Sequence, residues 1–184
     1  MKNILFFGDS LTAGYGLVNP QKDSFPALIE KKIREACFGY KVINAGVSGE
    51  TSKGGLNRIV TKLNEPIDVF VLALGANDLL RGISPLQTKQ NLQNIIEKVK
   101  HKNQNVKLVL LGMEFPDIFP FPQVSAFRNV FKDLATKNGM DFLPFLLEDV
   151  AGKPQLNLPD GLHPTAEGYK IIAENVWKML KPTL

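Results

Sequence analysis

Five short, almost unbroken apolar runs recur along this chain: ILFFG (4–8), KVINAGV (41–47), DVFVLALGA (68–76), VKLVLLGM (106–113) and MDFLPFL (140–146). They lack the polar alternation of a half-solvated strand, so they read as strands buried on both faces, the pattern of a parallel sheet. Between and after them lie segments with helical spacing: FPALIEKKIREACF (25–38), TSKGGLNRIVTKLN (51–64), SPLQTKQNLQNIIEKVKH (84–101), AFRNVFKDLATKNG (126–139) and PTAEGYKIIAENVWKML (164–180). In the second, Leu56, Ile59, Val60 and Leu63 fall on one helical face. The last opens on a proline at a favoured first-turn position. This alternation predicts an α/β fold: a doubly wound, three-layer α/β/α sandwich around a five-stranded parallel sheet, because right-handed crossovers place helices on both faces. Ligands then belong beyond the carboxyl ends of the strands.

At 184 residues, 44% of them hydrophobic and 22% charged, the chain has the size of one globular domain, spanning residues 1–184. The single Cys37 cannot form an internal disulfide and reads as a buried, inert thiol. The net charge of +4 comes from dispersed lysines, and the only dense cluster, KVKHKNQNVK (98–107), reads as a solvated helix end where cations meet the macrodipole favourably. Nucleic acid is therefore not an expected partner. No apolar run approaches the roughly 20 residues of a membrane span, and the chain opens on strand-like NILFFG rather than on a charged and apolar leader. The expectation is a soluble monomer without stable membrane insertion, cytoplasmic as it stands and periplasmic where a leader has been removed.

The chemistry gathers where strands end. Ser10, in FFGDSLTAGYG (6–16), follows the first strand directly. A serine hydroxyl is a weak nucleophile unless a neighbouring base takes its proton, and the chain has two histidines. His101 lies in the lysine-rich helix end and reads as a surface residue. His163 stands in PDGLHP (159–164), three residues after Asp160, so one loop supplies both an imidazole and a carboxylate able to fix its tautomer. Each piece also has a plain reading: Ser10 as a helix N-cap, Asp160-Gly161 as a turn, His163 as a cap. The second strand leads into NAGVSGETS (44–52), where Gly49 lets a backbone N–H approach a ligand, or simply makes a turn. The third leads into LGANDLLRG (74–82), where Asn77 offers an amide of the kind an oxyanion needs, or a helix cap. After the fourth strand comes EFPDIFPFPQ (114–123), whose prolines forbid ordinary helix while Phe115, Ile118, Phe119 and Phe121 make it too apolar for a plain solvent loop.

Taken in order, GDSL (8–11), the glycine of VSGET (49), GAND (75–78) and DGLHP (160–164) resemble the four sequence blocks of the SGNH hydrolases, the GDSL esterases and lipases. GDSLTAGYG, NAGVSGETS, LGANDLLRG and LNLPDGLHP are similar to the bacterial thioesterase I, lysophospholipase L1 and arylesterase branch. The resemblance implies an esterase, thioesterase and lysophospholipase with a flavodoxin-like sheet. In it Ser10 is the nucleophile, His163 the general base and Asp160 its orienting acid. The Ser10 and Gly49 N–H groups and the Asn77 amide bind the oxyanion. It implies no metal and no organic cofactor, and as partner only a small-molecule acyl ester or thioester, of fatty acids in this branch. Gly46 competes with Gly49 for the donor role. Residues 115–121 take the place of an acyl wall, and Arg81 either borders the pocket or forms a structural ion pair.

Three other readings compete. A carbohydrate O-deacetylase shares the blocks, but the apolar 115–121 stretch argues against polar substrates. A flavin- or phosphate-binding module could use the loop SLTAG (10–14), yet it leaves DGLHP without a purpose, and GETSKGG (49–55) lacks the ending of a P-loop. Ser48 in GVSGE is a rival nucleophile, although Glu50 stands where the GxSxG elbow requires glycine.

Overall fold

The computed structural model describes residues 1–113 and 124–184. Strands β1 (Lys2–Gly8), β2 (Tyr40–Gly46), β3 (Val69–Ala73), β4 (Lys107–Leu111) and β5 (Asp141–Leu143) form one sheet in the order β2-β1-β3-β4-β5, every neighbouring pair parallel. The order is that of a flavodoxin-like doubly wound sheet, reversing direction between β1 and β3. Ile4 to Phe7 and Val69 to Leu72 are fully buried, as their unbroken apolar runs predict. The two edge strands are not. Lys41, Asn44 and Asp141 are exposed, because a strand paired on one side only lies at the rim of the covering helices.

Helices α1 (Ser10–Ala13), α2 (Pro20–Asp23), α3 (Phe25–Glu35), α4 (Ser52–Arg58), α5 (Ala76–Leu80), α6 (Pro85–Lys102), α7 (Val124–Asn138) and α8 (Ala166–Leu180) fill the connections. They pack in two groups, α3 against α8 and, separately, α4, α6 and α7 in series, as a three-layer sandwich requires. Pro85 opens α6 with the Ser84 hydroxyl capping it, and Lys100, His101 and Lys102 occupy its last turn, so His101 is the surface residue expected.

Local departures from the sequence reading have local causes. After Arg58 the chain tightens from α- to 3-10-helix over Ile59–Lys62. The change of pitch buries Ile59 and Leu63 but turns Val60 out to 56% exposure. Pro164 lies outside α8, which Thr165 caps through its hydroxyl to the Gly168 N–H. Cys37 is exposed rather than buried: it takes φ 57° where the chain leaves α3, beyond the last core-facing turn.

Position along the sheet is what builds the rim. Gly8 at the end of β1 stands level with Gly46 of β2 and Ala73 of β3, so the loops carrying Ser10, Gly49 and Asn77 leave from one line. Gly46 is glycine for room: a Cβ there would sit 2.2 Å from the Ala13 nitrogen of α1. Gly46→Ala should therefore push α1 off the sheet and destabilise the fold by about 1–3 kcal/mol, read as a lower urea midpoint with an unchanged slope; an unchanged midpoint would show that α1 is not seated as described.

Candidate active site

Asp9, not Ser10, caps α1: its carboxylate accepts from the Leu11 N–H at 3.1 Å. Ser10 is thus the first helical residue, and its hydroxyl is free of the capping duty. The Oγ–H donates to His163 Nε2 at 2.9 Å. The histidine lies 153 residues away in sequence and is brought in by the loop before α8, where Thr165, rather than His163, is the cap.

Asp160 turns back on its own loop. One oxygen accepts the Leu162 and His163 N–H groups at 2.9 and 3.0 Å, while the other accepts His163 Nδ1–H at 2.7 Å. The turn reading and the triad reading of DG thus coexist, with Gly161 at φ 68° closing the loop. The backbone N–H of His163, its side chain and the Leu162 N–H hold the Asp160 carboxyl down at about 2. At neutral pH it is an acceptor only, so Nδ1 carries the proton and the Nε2 lone pair faces Ser10.

The oxyanion candidates lie on the same rim. Asn77 is inside α5, whose N-cap is Gly75, so its amide is not used as a cap. Its Nδ2 instead reaches toward Asp9 Oδ2, at 3.4 Å. The Gly46 N–H is taken by Asn44 Oδ1 at 2.9 Å. The Gly49 N–H has no acceptor among the described residues, which favours Gly49 over Gly46 as a donor to a ligand. Gly49 also has φ 75°, a backbone that an L side chain would strain. Among the described residues Arg81 makes no carboxylate pair; its Nη2 donates to Gly49 O at 2.7 Å, holding that peptide from outside. Ser48 is exposed. Phe115, Ile118, Phe119 and Phe121 lie outside the described residues.

Two polar clusters, one buried and one partly buried, support this rim, and sequence reasoning missed both. Asp78, fully buried, accepts from the Ser52 N–H (2.8 Å), the Ser52 hydroxyl (2.5 Å) and the Thr88 hydroxyl (3.0 Å), and Asn91 donates to Ser52 Oγ at 2.9 Å. The cluster ties the start of α4 to α5 and α6, and hence the Gly49 loop to the Asn77 helix. In the second, the Arg58 guanidinium forks onto Glu50 and donates to Ala45 O (2.8 Å) and Gly8 O (3.3 Å) while lying 3.9 Å over the Phe7 ring. It fastens the ends of β1 and β2 to the residue after Gly49. A charged residue within an apolar block, Asp78 in GANDLL, was the available sequence signal. Among the described residues no group of His, Cys, Asp or Glu is placed to hold a metal ion.

Asp9 is a fully buried carboxyl, and desolvation chiefly, with the nearby Glu50 and Asp78 charges adding, raises it from 3.8 to about 7. Between these two values the unfolded chain has released this proton while the folded chain keeps it, so this group lowers stability as pH rises through the window and changes nothing further above it. Asp9→Asn, which still caps, should lose that decline: its melting temperature should gain on wild type steadily from pH 4 to 7. Parallel melting curves would contradict the assignment.

Comparison with known proteins places these features in a family. The profile described as the GDSL-like Lipase/Acylhydrolase family matches residues 6–171. Esterase TesA of Pseudomonas aeruginosa is 36% identical over 184 residues, covering 100% of this chain and 90% of that protein. The thioesterase 1/protease 1/lysophospholipase L1 of Escherichia coli is 36% identical over 97% of this chain and 83% of its own length. A crystal structure of TesA superposes with a TM-score of 0.93 at 35% identity, covering 100% of both chains.

Proposed function

This chain belongs to the GDSL-like lipase/acylhydrolase family and is a hydrolase of ester bonds, and we propose that it cleaves small acyl esters and thioesters through an acyl-serine formed on Ser10. The observation that carries this reading is the continuous chain of hydrogen bonds from Ser10 Oγ to His163 Nε2 (2.9 Å) and from Nδ1 to Asp160 (2.7 Å).

As Ser10 Oγ bonds to the acyl carbon, its proton passes to His163 Nε2, and Asp160 stabilises the imidazolium that results. The carbonyl π-electrons move onto oxygen, giving an oxyanion that takes hydrogen bonds from the N–H groups of Ser10 and Gly49 and from the Asn77 amide. Collapse breaks the bond to the alcohol or thiol, which leaves with the proton from Nε2. Water then repeats the sequence on the acyl-serine: Nε2 takes its proton, hydroxide adds, and the acid departs as Ser10 recovers its hydrogen.

All these groups come from one chain, which suits a monomeric enzyme. Among the described residues no helix is long and apolar enough to cross a membrane, consistent with a substrate met from water. The strand order is shared with flavin-binding folds, so it does not by itself argue for hydrolysis. The hydrogen bond from Ser10 to an oriented histidine does.

On p-nitrophenyl esters from acetyl to palmitoyl, Ser10→Ala and His163→Ala should each remove most of the turnover, and the double variant should lose little more, because such groups act as a unit. Retained turnover in Ser10→Ala would end this reading. Asn77→Ala should lower kcat by about 10²–10³ with an unchanged melting temperature; a loss of tenfold or less would remove Asn77 from the oxyanion site.

A further inference from the structure

The block that carries the nucleophile continues into Gly14-Tyr15-Gly16, and the tyrosine has no part in the reaction as described. Its ring nevertheless lies on the imidazole of His163, with centroids 4.4 Å apart and planes inclined at 42°. The imidazole is therefore held on three sides: by Asp160 at Nδ1, by Ser10 at Nε2, and by the Tyr15 ring on its face.

The turn bearing Tyr15 is fixed from two directions. Its N–H and that of Gly14 both return to Ser10 O at 3.0 Å, and Gly14 and Gly16 each take φ 82°, which lets the chain double back beside α1. From α8, the fully buried Tyr169 donates its hydroxyl to Tyr15 O at 3.3 Å. At its φ of 82° Gly16 would be strained by any L side chain, and its Cα lies close to Leu158, whose movable Cδ1 would be 2.4 Å from an added Cβ. Leu158 in turn donates its N–H to His163 O at 2.7 Å. The turn after the nucleophile and the loop of the base thus pack on each other, and the ring lies where they meet. It is 50% exposed, so the contact is not a by-product of core packing.

We infer that Tyr15 is a positioning residue for the histidine base: its ring face holds the imidazole in line with Ser10 and attracts the positive charge that the imidazole gains in each proton transfer. An aromatic face is the negative end of the ring quadrupole and favours a cation above it. Among the described residues, the titratable groups around the imidazole are Asp160 on its own loop and Tyr15 itself, with Asp9 next to Ser10 and Tyr169 behind Tyr15. Of these, Tyr15 is the one that offers the imidazole a ring face.

This inference rests on His163 being the base, so Ser10→Ala and His163→Ala are assayed alongside. Tyr15→Leu keeps apolar bulk without the π-face; Tyr15→Phe keeps the face without the hydroxyl. With p-nitrophenyl acetate, Tyr15→Leu should lower kcat about 2- to 5-fold at unchanged KM. It should also move the midpoint of the acid limb of the pH–rate profile down by about half a unit. Tyr15→Phe should restore both. A wild-type profile in Tyr15→Leu, a change confined to KM, or a Tyr15→Phe variant as impaired as Tyr15→Leu would each overturn the inference while the triad stands. Full turnover in Ser10→Ala or His163→Ala would overturn both.

Discussion

The whole arrangement depends on the parallel pairing of β1 between β2 and β3. Because Gly8, Gly46 and Ala73 stand level, three loops depart from one edge, and residues far apart in sequence face one another without a long loop to bring them there. Pairing between buried apolar strands specifies this geometry strongly: a slip by one residue would turn each core-facing set toward the wrong layer. The site is thus a consequence of the core, and Ser10 is positioned by the packing of Phe6 and Phe7 as much as by its own contacts.

The edge brings loops together, but polar groups fix their orientation. The Asp78 cluster and the Arg58–Glu50 fork both lie beneath the loop that bears Gly49, and both bind backbone atoms as well as side chains. Polar networks of this kind are rigid where complete and costly where not: the Asp78 carboxylate is fully engaged, whereas Arg58 Nη1 is buried with no hydrogen-bond partner among the described residues. Here they hold in place the Gly49 loop and the Asn77 helix, whose N–H groups we propose as donors to the negative charge that a substrate acquires only during reaction. Asp9 belongs with them, as a buried carboxyl that caps α1 and leaves the Ser10 hydroxyl for His163.

What could be read from the chain followed the strength of its patterns. The apolar runs gave the strands and the sheet class, because burial on both faces leaves an unmistakable composition; the edge strands read as more buried than they are, since pairing order is not written in any single run. Ser10, Asp160, His163, Gly49 and Asn77 were nameable from short blocks whose spacing suits one site, and the fold brings them to one rim. The capping roles went the other way: Asp9, Gly75 and Thr165 take the positions that simple propensity gave to Ser10, Asn77 and His163. Tyr15 and Asp78 were invisible as partners because their contacts span long sequence separations, and no local pattern records which ring will lie over which imidazole. Val60 and Cys37 were misread for a smaller reason, a change of helical pitch and a helix end that fall within one turn of the pattern.

In the proposed mechanism Ser10 carries the acyl group between the two halves of the reaction. The most direct test is rapid acid quenching of the enzyme during turnover of a p-nitrophenyl ester, followed by intact-mass measurement and peptide mapping. A single acyl adduct per chain is expected, located on the peptide that holds Ser10 and absent from Ser10→Ala. An adduct on Ser48 or any other residue, or sustained turnover with Ser10 never acylated, would contradict the mechanism.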